Sequence, residues 1–192
     1  MAHGNLLSMS KLGDNMEETK WIVDKAHSGI EFSIRHMMIS TVRGKFKDFD
    51  TEITGNPDDF DTVKGRFRIS VASIDTGNPD RDNHLRSDEI LAMKEFPDIV
   101  YTVKKVTGAG EEIEIIGDLT IRGVTREVVF KGEYGGMIKD PYGNQRFGLT
   151  ASSTINRADF GVKWNMVLEG GGFLLGEKAN LYLQLEAFHP PN

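Results

Sequence analysis

From Trp21 onward, apolar and polar residues alternate in one run after another, and this two-residue period is the pattern of half-buried β-strands. In one such run Phe67, Ile69 and Val71 share a parity, with arginine or serine between them. Similar runs occupy residues 30–35, 112–122, 147–155 and 181–186. Because a single alternating run can arise by chance, it is the repetition that indicates an all-β fold.

Turn-forming residues separate these runs. Glycine accounts for 21 of the 192 residues, which is about 11% against a usual value of ~7%. Segments that favour chain reversal lie at 55–57, 77–79, 108–110, 135–136, 140–143 and 170–172. Counting one apolar face per strand predicts about eight or nine strands, which with regularly spaced turns indicate a sandwich or a barrel. At about eight strands, side chains either fill a barrel or leave room for one small ligand, and periodicity alone does not choose between these two.

One stretch breaks the alternation. Within residues 81–96, Ser87 is a suitable N-cap, and Asp88 and Glu89 place negative charge where a helix N-terminus favours it. Pro97 would end the element. The sequence therefore predicts one short helix inserted between strands.

Composition excludes several functional classes. The formal charge is −6, and basic residues are interleaved with acidic ones along the chain, which argues against nucleic acid as a partner. Cysteine is absent, so disulfides, thiolate metal sites and cysteine nucleophiles are excluded. The nucleophile-elbow, zinc-helix, phosphate-loop and dinucleotide fingerprints are also missing. We therefore expect no catalytic residue, no metal and no cofactor.

The ends of the chain suggest a simple organisation. Neither a signal-peptide core nor an apolar run of about 18 residues is visible. We therefore expect a cytoplasmic protein without an integral membrane segment. No break in composition marks a second domain, so residues 1–19 are predicted to form a disordered or tag-derived tail and residues 20–192 to form one domain.

Several ordered segments resemble the YceI-like family. They are Trp21–Asp24 with His27–His36, Val71–Thr76 leading into Arg81–Ser87, Glu95–Pro97, Gly117–Thr125, and Asn156–Val162. The resemblance implies an antiparallel eight-stranded lipocalin-like β-barrel with a short helical insertion. It also implies that a long-chain isoprenoid lipid, polyprenyl or quinone-like, is held in the barrel interior, as in a carrier or store. It favours a homodimer, and a carrier of this kind would make transient contact with a membrane.

The chain departs from this family in two places. Many relatives carry paired phenylalanines after the Arg-Ser of the helical insertion, where this chain has Glu89, Ile90 and Leu91. This difference is expected to reshape the cavity wall. Many relatives are also exported behind a signal peptide, whereas this sequence shows none.

Inward parity and the resemblance together predict the residues that contact the lipid. The apolar cavity wall is predicted to comprise Phe32, Ile34, Phe67, Ile69, Ile74, Leu91, Phe96, Leu119, Ile121, Phe130, Leu149, Ile155, Phe160 and Leu183. The polar mouth is predicted to comprise His36, Arg81, His84 and Arg157. Imidazole and guanidinium groups at these positions would bind a hydroxyl or phosphate of the lipid head group.

Each polar residue also has a structural interpretation. His36 shares the parity of Ile34 and, if it points inward, needs a hydrogen-bond partner. The side chains of residues 81–84 would satisfy backbone groups at the turn. Arg157 would form an ion pair with Asp159.

Two other functions stay open at this point. The chain could be an enzyme acting on an isoprenoid or quinone-like substrate, with His36, His84 and Asp82 as acid–base groups. It could also be a scaffold linked to stress, with a filled core and no ligand. An enzyme would release product, a carrier would retain unmodified lipid, and a scaffold would contain neither.

Overall fold

A computed structural model of the protein describes residues 19–169 and 171–191. The strands within these ranges are β1 (Lys20–Val23), β2 (Gly29–His36), β3 (Ser40–Phe46), β4 (Phe49–Asn56), β5 (Asp59–Ser70), β6 (Ile74–Asp75), β7 (Asp98–Ala109), β8 (Glu112–Ile121), β9 (Val124–Lys139), β10 (Gln145–Asn156) and β11 (Leu175–His189). The helix α1 spans Pro79–Arg86, and short 3-10 helices span Val71–Ser73 and Arg157–Phe160. The predicted tail, apart from Thr19, lies outside the described residues.

The sheet closes on itself. Strand β1 pairs with both β4 and β11, which completes an antiparallel circle in the order β1, β4, β5, β7, β8, β9, β10 and β11. The hairpin of β2 and β3 extends this wall, with β2 pairing with β11 and β6 with β3. The predicted antiparallel eight-stranded barrel is therefore confirmed.

The alternation seen in the sequence is the alternation of burial in the barrel. Along β8, every second residue from Ile113 to Ile121 is buried. Its central inward position is Gly117, where a Cβ would lie 2.5 Å from the Thr102 carbonyl oxygen and 2.7 Å from the Tyr101 ring. Tyr101 uses this space to bring its hydroxyl within 2.9 Å of the Ile115 carbonyl oxygen. Burial raises the pKa of Tyr101, so its phenol stays neutral.

The helical insertion is present, but its predicted position was wrong. The helix begins at Pro79, and the Asn78 side chain accepts a hydrogen bond from the Arg81 backbone N–H at 3.0 Å. Asn at the N-cap followed by Pro at the first helical position is a favoured start, whereas sequence analysis interpreted this pair as a turn. Ser87 ends the helix, and its hydroxyl donates to the His84 carbonyl oxygen at 2.7 Å.

Buried side chains and long-range hydrogen bonds lie at both ends of the barrel. At one end Ile90 and Phe160 are buried, and Arg122 donates to the Ile90 carbonyl oxygen at 2.7 Å. At the other end the Trp21 indole N–H donates to the Gly55 carbonyl oxygen at 2.8 Å. None of the helices in the described part of the chain is long and apolar enough to cross a bilayer.

Candidate functional site

The barrel interior contains a cavity of about 140 Å³ that is partly open to solvent. Its wall runs from Ile121 near the helical end to Trp21 and Tyr134 at the other end, and it is almost entirely apolar. An engineered apolar cavity of about 150 Å³ stays dry and binds benzene. The space between the side chains therefore matches about one five-carbon isoprene unit, and a longer tail requires the wall to move.

One side of the wall is only partly buried. Ile30, Phe46, Leu149, Leu181 and Leu183 all line the cavity, yet each is only half-buried. They lie on the neighbouring strands β3, β2, β11 and β10. A side chain that is partly exposed to solvent loses fewer packing contacts when it changes rotamer than a fully buried one does. This side of the barrel is therefore where the cavity can widen at the lowest cost.

Half of the predicted wall residues line this cavity. They are Phe67, Ile69, Leu119, Ile121, Phe130, Leu149 and Leu183. All seven lie on β5, β8, β9, β10 or β11. The parity of each strand therefore placed these side chains on the correct face.

The other predicted wall residues lie elsewhere. Ile155 and Phe160 are buried in the core without reaching the cavity. Ile74 is also buried away from it, and the Phe32 ring packs against Phe46 with centroids 5.7 Å apart. The half-buried remainder, none of which reaches the cavity, is Ile34, Leu91 and Phe96. Alternation identifies the inward face, but it does not say how far along the barrel axis a residue lies.

A second set of residues lines the cavity wall and was not predicted from the sequence. Those with aromatic side chains are Trp21, Phe46, Phe60, Tyr101, Tyr134, Phe147 and Tyr182. In β7 the inward parity runs through Ile99, Tyr101 and Val103, and then shifts at a β-bulge before Lys105. Val106 consequently points inward instead of Lys105. The alternation at residues 99–103 was a usable signal, whereas the bulge was not visible in the sequence.

None of the four predicted mouth residues lines the cavity. Arg157 is 8% exposed and donates to the carbonyl oxygens of Gly176, Val162 and Trp164 at 2.7 to 2.8 Å. Burial lowers the pKa of this guanidinium. The ion pair with Asp159 does not form, because Arg157 instead holds the loop that leads into β11.

Arg81 and Asp82 both bind the turn before α1. Arg81 donates to the Thr76 hydroxyl at 2.7 Å and to the Thr76 carbonyl oxygen at 2.8 Å. The Asp82 carboxylate accepts hydrogen bonds from the Thr76 backbone N–H and hydroxyl at 2.9 and 2.6 Å. These residues therefore satisfy backbone groups at the turn, which was the structural interpretation.

The two candidate histidines are not part of the cavity either. His84 lies 3.0 Å from the Glu89 carboxylate, and its ring packs edge-on against Trp164. His36 is half-buried at the end of β2. The acid–base groups proposed for an enzyme thus do not reach the enclosed space.

Polar residues line the cavity in two places, at Glu31 and Tyr182 on the paired strands β2 and β11 and near the turn between β4 and β5, where Lys64 is one of them. Thr54 and Tyr134 line it there, and the Tyr134 hydroxyl donates to the Asp58 carboxylate at 3.0 Å. Burial, together with this hydrogen bond, raises the pKa of Tyr134. The phenol is therefore neutral, and its oxygen retains lone pairs that can accept a further hydrogen bond.

One acidic cluster has metal-ligand character, but its charge is already balanced. Ligand atoms of Asp24, His27 and Glu186 lie within 4.8 Å of one another. The Arg146 guanidinium lies 3.1 Å from Asp24 and 2.6 Å from Glu186. Hydrogen bonds from His27 and Arg146 lower the pKa of Asp24 to about 2. The cluster is therefore a salt-bridge network centred on Arg146, and we assign no metal to it.

Comparison with known proteins gives a consistent result. The model of the YceI-like domain matches residues 21–187. UPF0312 protein SA2479 of Staphylococcus aureus (strain N315) is 42% identical over 160 residues, which cover 83% of this chain and 91% of that protein. The crystal structure of the YCEI protein of Campylobacter jejuni superposes with a TM-score of 0.70 at 33% identity, covering 88% of this chain and 98% of that one.

A more distant structural neighbour has a functional description. It is a polyisoprenoid binding domain from Saccharophagus degradans implicated in plant cell wall breakdown. The two chains superpose with a TM-score of 0.66 at 13% identity, covering 91% of this chain and all of that domain. At this level of identity the similarity shows a shared fold alone.

Proposed function

Because this chain belongs to the YceI-like domain family, we propose that it binds the tail of a long-chain isoprenoid lipid inside its barrel, as a carrier or store. The observation that supports this most directly is the almost wholly apolar cavity in the barrel interior. The polyisoprenoid binding domain from Saccharophagus degradans, which shares the fold, supports the same ligand class. The lipid would be polyprenyl or quinone-like.

The energetics of tail burial support tight binding. Each isoprene unit removed from water contributes up to roughly 3–4 kcal/mol, at about 0.8 kcal/mol per buried carbon group. The first unit fits the existing space of about 140 Å³. Each further unit has to displace wall side chains, and ordering the flexible tail opposes binding. Cavity length and width would therefore select the ligand more strongly than its head group does.

The polar end of the cavity suggests how the lipid is oriented. Tyr134 and Thr54 border the cavity beside the turn between β4 and β5, so we place an oxygen-bearing head group there. A ligand hydroxyl would donate to the Tyr134 oxygen, whose own proton is directed to Asp58. We expect Tyr134→Phe to weaken binding of a polyprenol a few-fold, as for one hydrogen bond. Binding of the matching hydrocarbon without a hydroxyl would not change.

A binding role also fits the residues better than catalysis does. No histidine lies among the described residues that line the cavity. Asp82 and His84 are engaged with Thr76 and Glu89 outside it. We therefore propose that the bound lipid is retained without chemical change.

Mass spectrometry of an organic extract tests this proposal. Protein purified without detergent should release an unmodified isoprenoid in a defined molar ratio. If the purified protein contains no lipid and also binds no added polyprenol of one to several isoprene units, the result would contradict our proposal and support the interpretation as a scaffold. Conversion of added polyprenol or quinone to a new product would show an enzyme instead.

A further inference from the structure

Two adjacent turns at the helical end of the barrel form an exposed apolar surface, which we call the tip surface. It consists of Met37, Met38 and Ile39 between β2 and β3, and of Met166, Val167 and Phe173 in the hairpin before β11. Their exposed fractions run from 40% for Met37 to 80% for Ile39. The Met37 backbone N–H donates to the Leu174 carbonyl oxygen at 2.7 Å, which joins the two turns. Contiguous apolar patches of several hundred Å² mark interaction sites.

The turn between β2 and β3 is built from unfavourable residues. Met37 and Met38 have φ values of 51° and 64°, and the Ile39 N–H donates to the His36 carbonyl oxygen at 3.2 Å. Hairpin turns with positive φ at both central residues strongly prefer Asn-Gly. A left-handed conformation at a side chain without local hydrogen bonding is strained. Turn stability therefore does not explain the two methionines.

Unpaired cations flank the tip surface. Arg35, Arg43 and Lys163 are exposed, and none forms an ion pair within the part of the chain that the structure describes. Arg35 donates to the Met38 carbonyl oxygen at 2.8 Å, so its charge lies at the tip itself. Glu169 is the one carboxylate in residues 35–43 and 161–169. These two segments therefore carry a net positive charge on a chain whose formal charge is −6.

We propose that the tip surface docks on an anionic lipid bilayer. Exposed apolar side chains beside basic residues bind membranes through burial among the acyl chains and attraction to anionic head groups. The surface is formed by the ends of two hairpins, a shape that enters a fluid interface without needing a complementary groove. The inference rests on the proposed function, because a carrier of an apolar lipid has to meet a bilayer.

Co-sedimentation with vesicles that contain no isoprenoid tests the docking surface. The full chain should bind vesicles containing phosphatidylglycerol, bind pure phosphatidylcholine more weakly, and dissociate as salt rises. The variant Met37→Asn with Met38→Gly supplies the preferred turn residues, so its melting temperature should not fall. Its binding to anionic vesicles should weaken by about tenfold or more, since it removes two apolar side chains.

A matched control lies at the opposite end of the barrel. Ile138 and Tyr142 are 65% and 87% exposed on the hairpin between β9 and β10. Ile138→Thr with Tyr142→Asn removes similar apolar surface and should leave vesicle binding unchanged. Equal loss in both variants, or no vesicle binding by the unmodified chain, would overturn the proposal. So would conversion of a dimer to a monomer by the Met37 and Met38 changes, because a second copy would then cover this surface.

The docking surface and the proposed function can be refuted independently of each other. Organic extracts of the same preparations report whether lipid is retained in the barrel. Retained lipid without vesicle binding would refute the docking surface and leave the proposed function standing. Vesicle binding by a protein that never retains lipid would refute the proposed function alone.

Discussion

Filling the cavity should stabilise the barrel and abolish lipid binding at the same time. Leu149 and Leu183 line the partly buried side of the cavity and lie on the adjacent strands β10 and β11. Replacing both by phenylalanine adds roughly six carbon atoms, the number in a benzene ring, which an apolar cavity of about 150 Å³ accommodates. The double variant should therefore occupy most of the space that a lipid tail would enter.

The size of the effect follows from the cavity volume. At about 24 cal/mol per Å³, an empty space of about 140 Å³ costs about 3 kcal/mol. That figure is the upper limit of the gain, since strained rotamers in a filled core typically cost 1–3 kcal/mol. We expect the free energy of unfolding of delipidated Leu149→Phe/Leu183→Phe to rise by 0 to about 3 kcal/mol.

Two measurements check this prediction. Denaturant unfolding of the delipidated proteins gives the change in stability, and mass spectrometry of organic extracts gives the bound lipid. Leu85→Phe with Leu91→Phe is the control, because both leucines pack against the core without lining the cavity. If the folded cavity variant retains as much lipid as the unmodified chain, the tail does not occupy this space and the reasoning fails.

Three further predictions concern individual residues. Phe67→Ala and Phe160→Ala should each lower the free energy of unfolding by about 3–5 kcal/mol. Only Phe67→Ala enlarges the cavity, so only this variant should change the chain length of the lipids found in extracts. Arg157→Met leaves buried carbonyl oxygens without a donor, so denaturation should show a loss of at least 1–3 kcal/mol, with lipid retention unchanged once the protein is folded. The Arg146 guanidinium, together with further hydrogen bonds, holds the pKa of Asp140 well below its ordinary value. The pair therefore stabilises the folded protein at pH values above the unfolded pKa of about 3.9. This stabilisation is lost as the pH falls from that value towards the lower pKa of the folded protein. Melting temperatures between pH 6 and 2 should therefore fall less steeply for Arg146→Met than for the unmodified chain, and equal slopes would contradict the assignment.

The alternating pattern of a strand predicts which face a side chain lies on, but it does not predict the position of that side chain along the barrel axis. Parity placed Phe67 and Leu119 on the inward face, because successive side chains of a strand alternate between its two faces, and the family resemblance made that face a cavity wall. Phe160 has the same apolar character and lies in the core away from the cavity. Depth along the barrel axis depends on strand tilt and register, which no local pattern records.

The polar residues show a similar division. Arg157 and Arg81 suggested a lipid head-group site because guanidinium groups bind phosphate well. In the folded chain both guanidinium groups donate hydrogen bonds to carbonyl and hydroxyl groups of nearby loops. Tyr134 and Asp58 do meet beside the cavity, but they are 76 residues apart in the chain. No local sequence motif could therefore predict this pair.

The sequence by itself determined the all-β class through alternation and turn residues, which are local properties of the chain. Its ordered segments indicated the family, and the closed barrel was expected only from that resemblance. The position of the helix was also locally encoded, in Asn78 and Pro79, but that pair is compatible with a turn as well. Only the tertiary structure decided which inward side chains leave a space unfilled and which polar groups retain free lone pairs. Both depend on how distant strands pack against one another, since an unfilled volume is a property of the whole barrel wall.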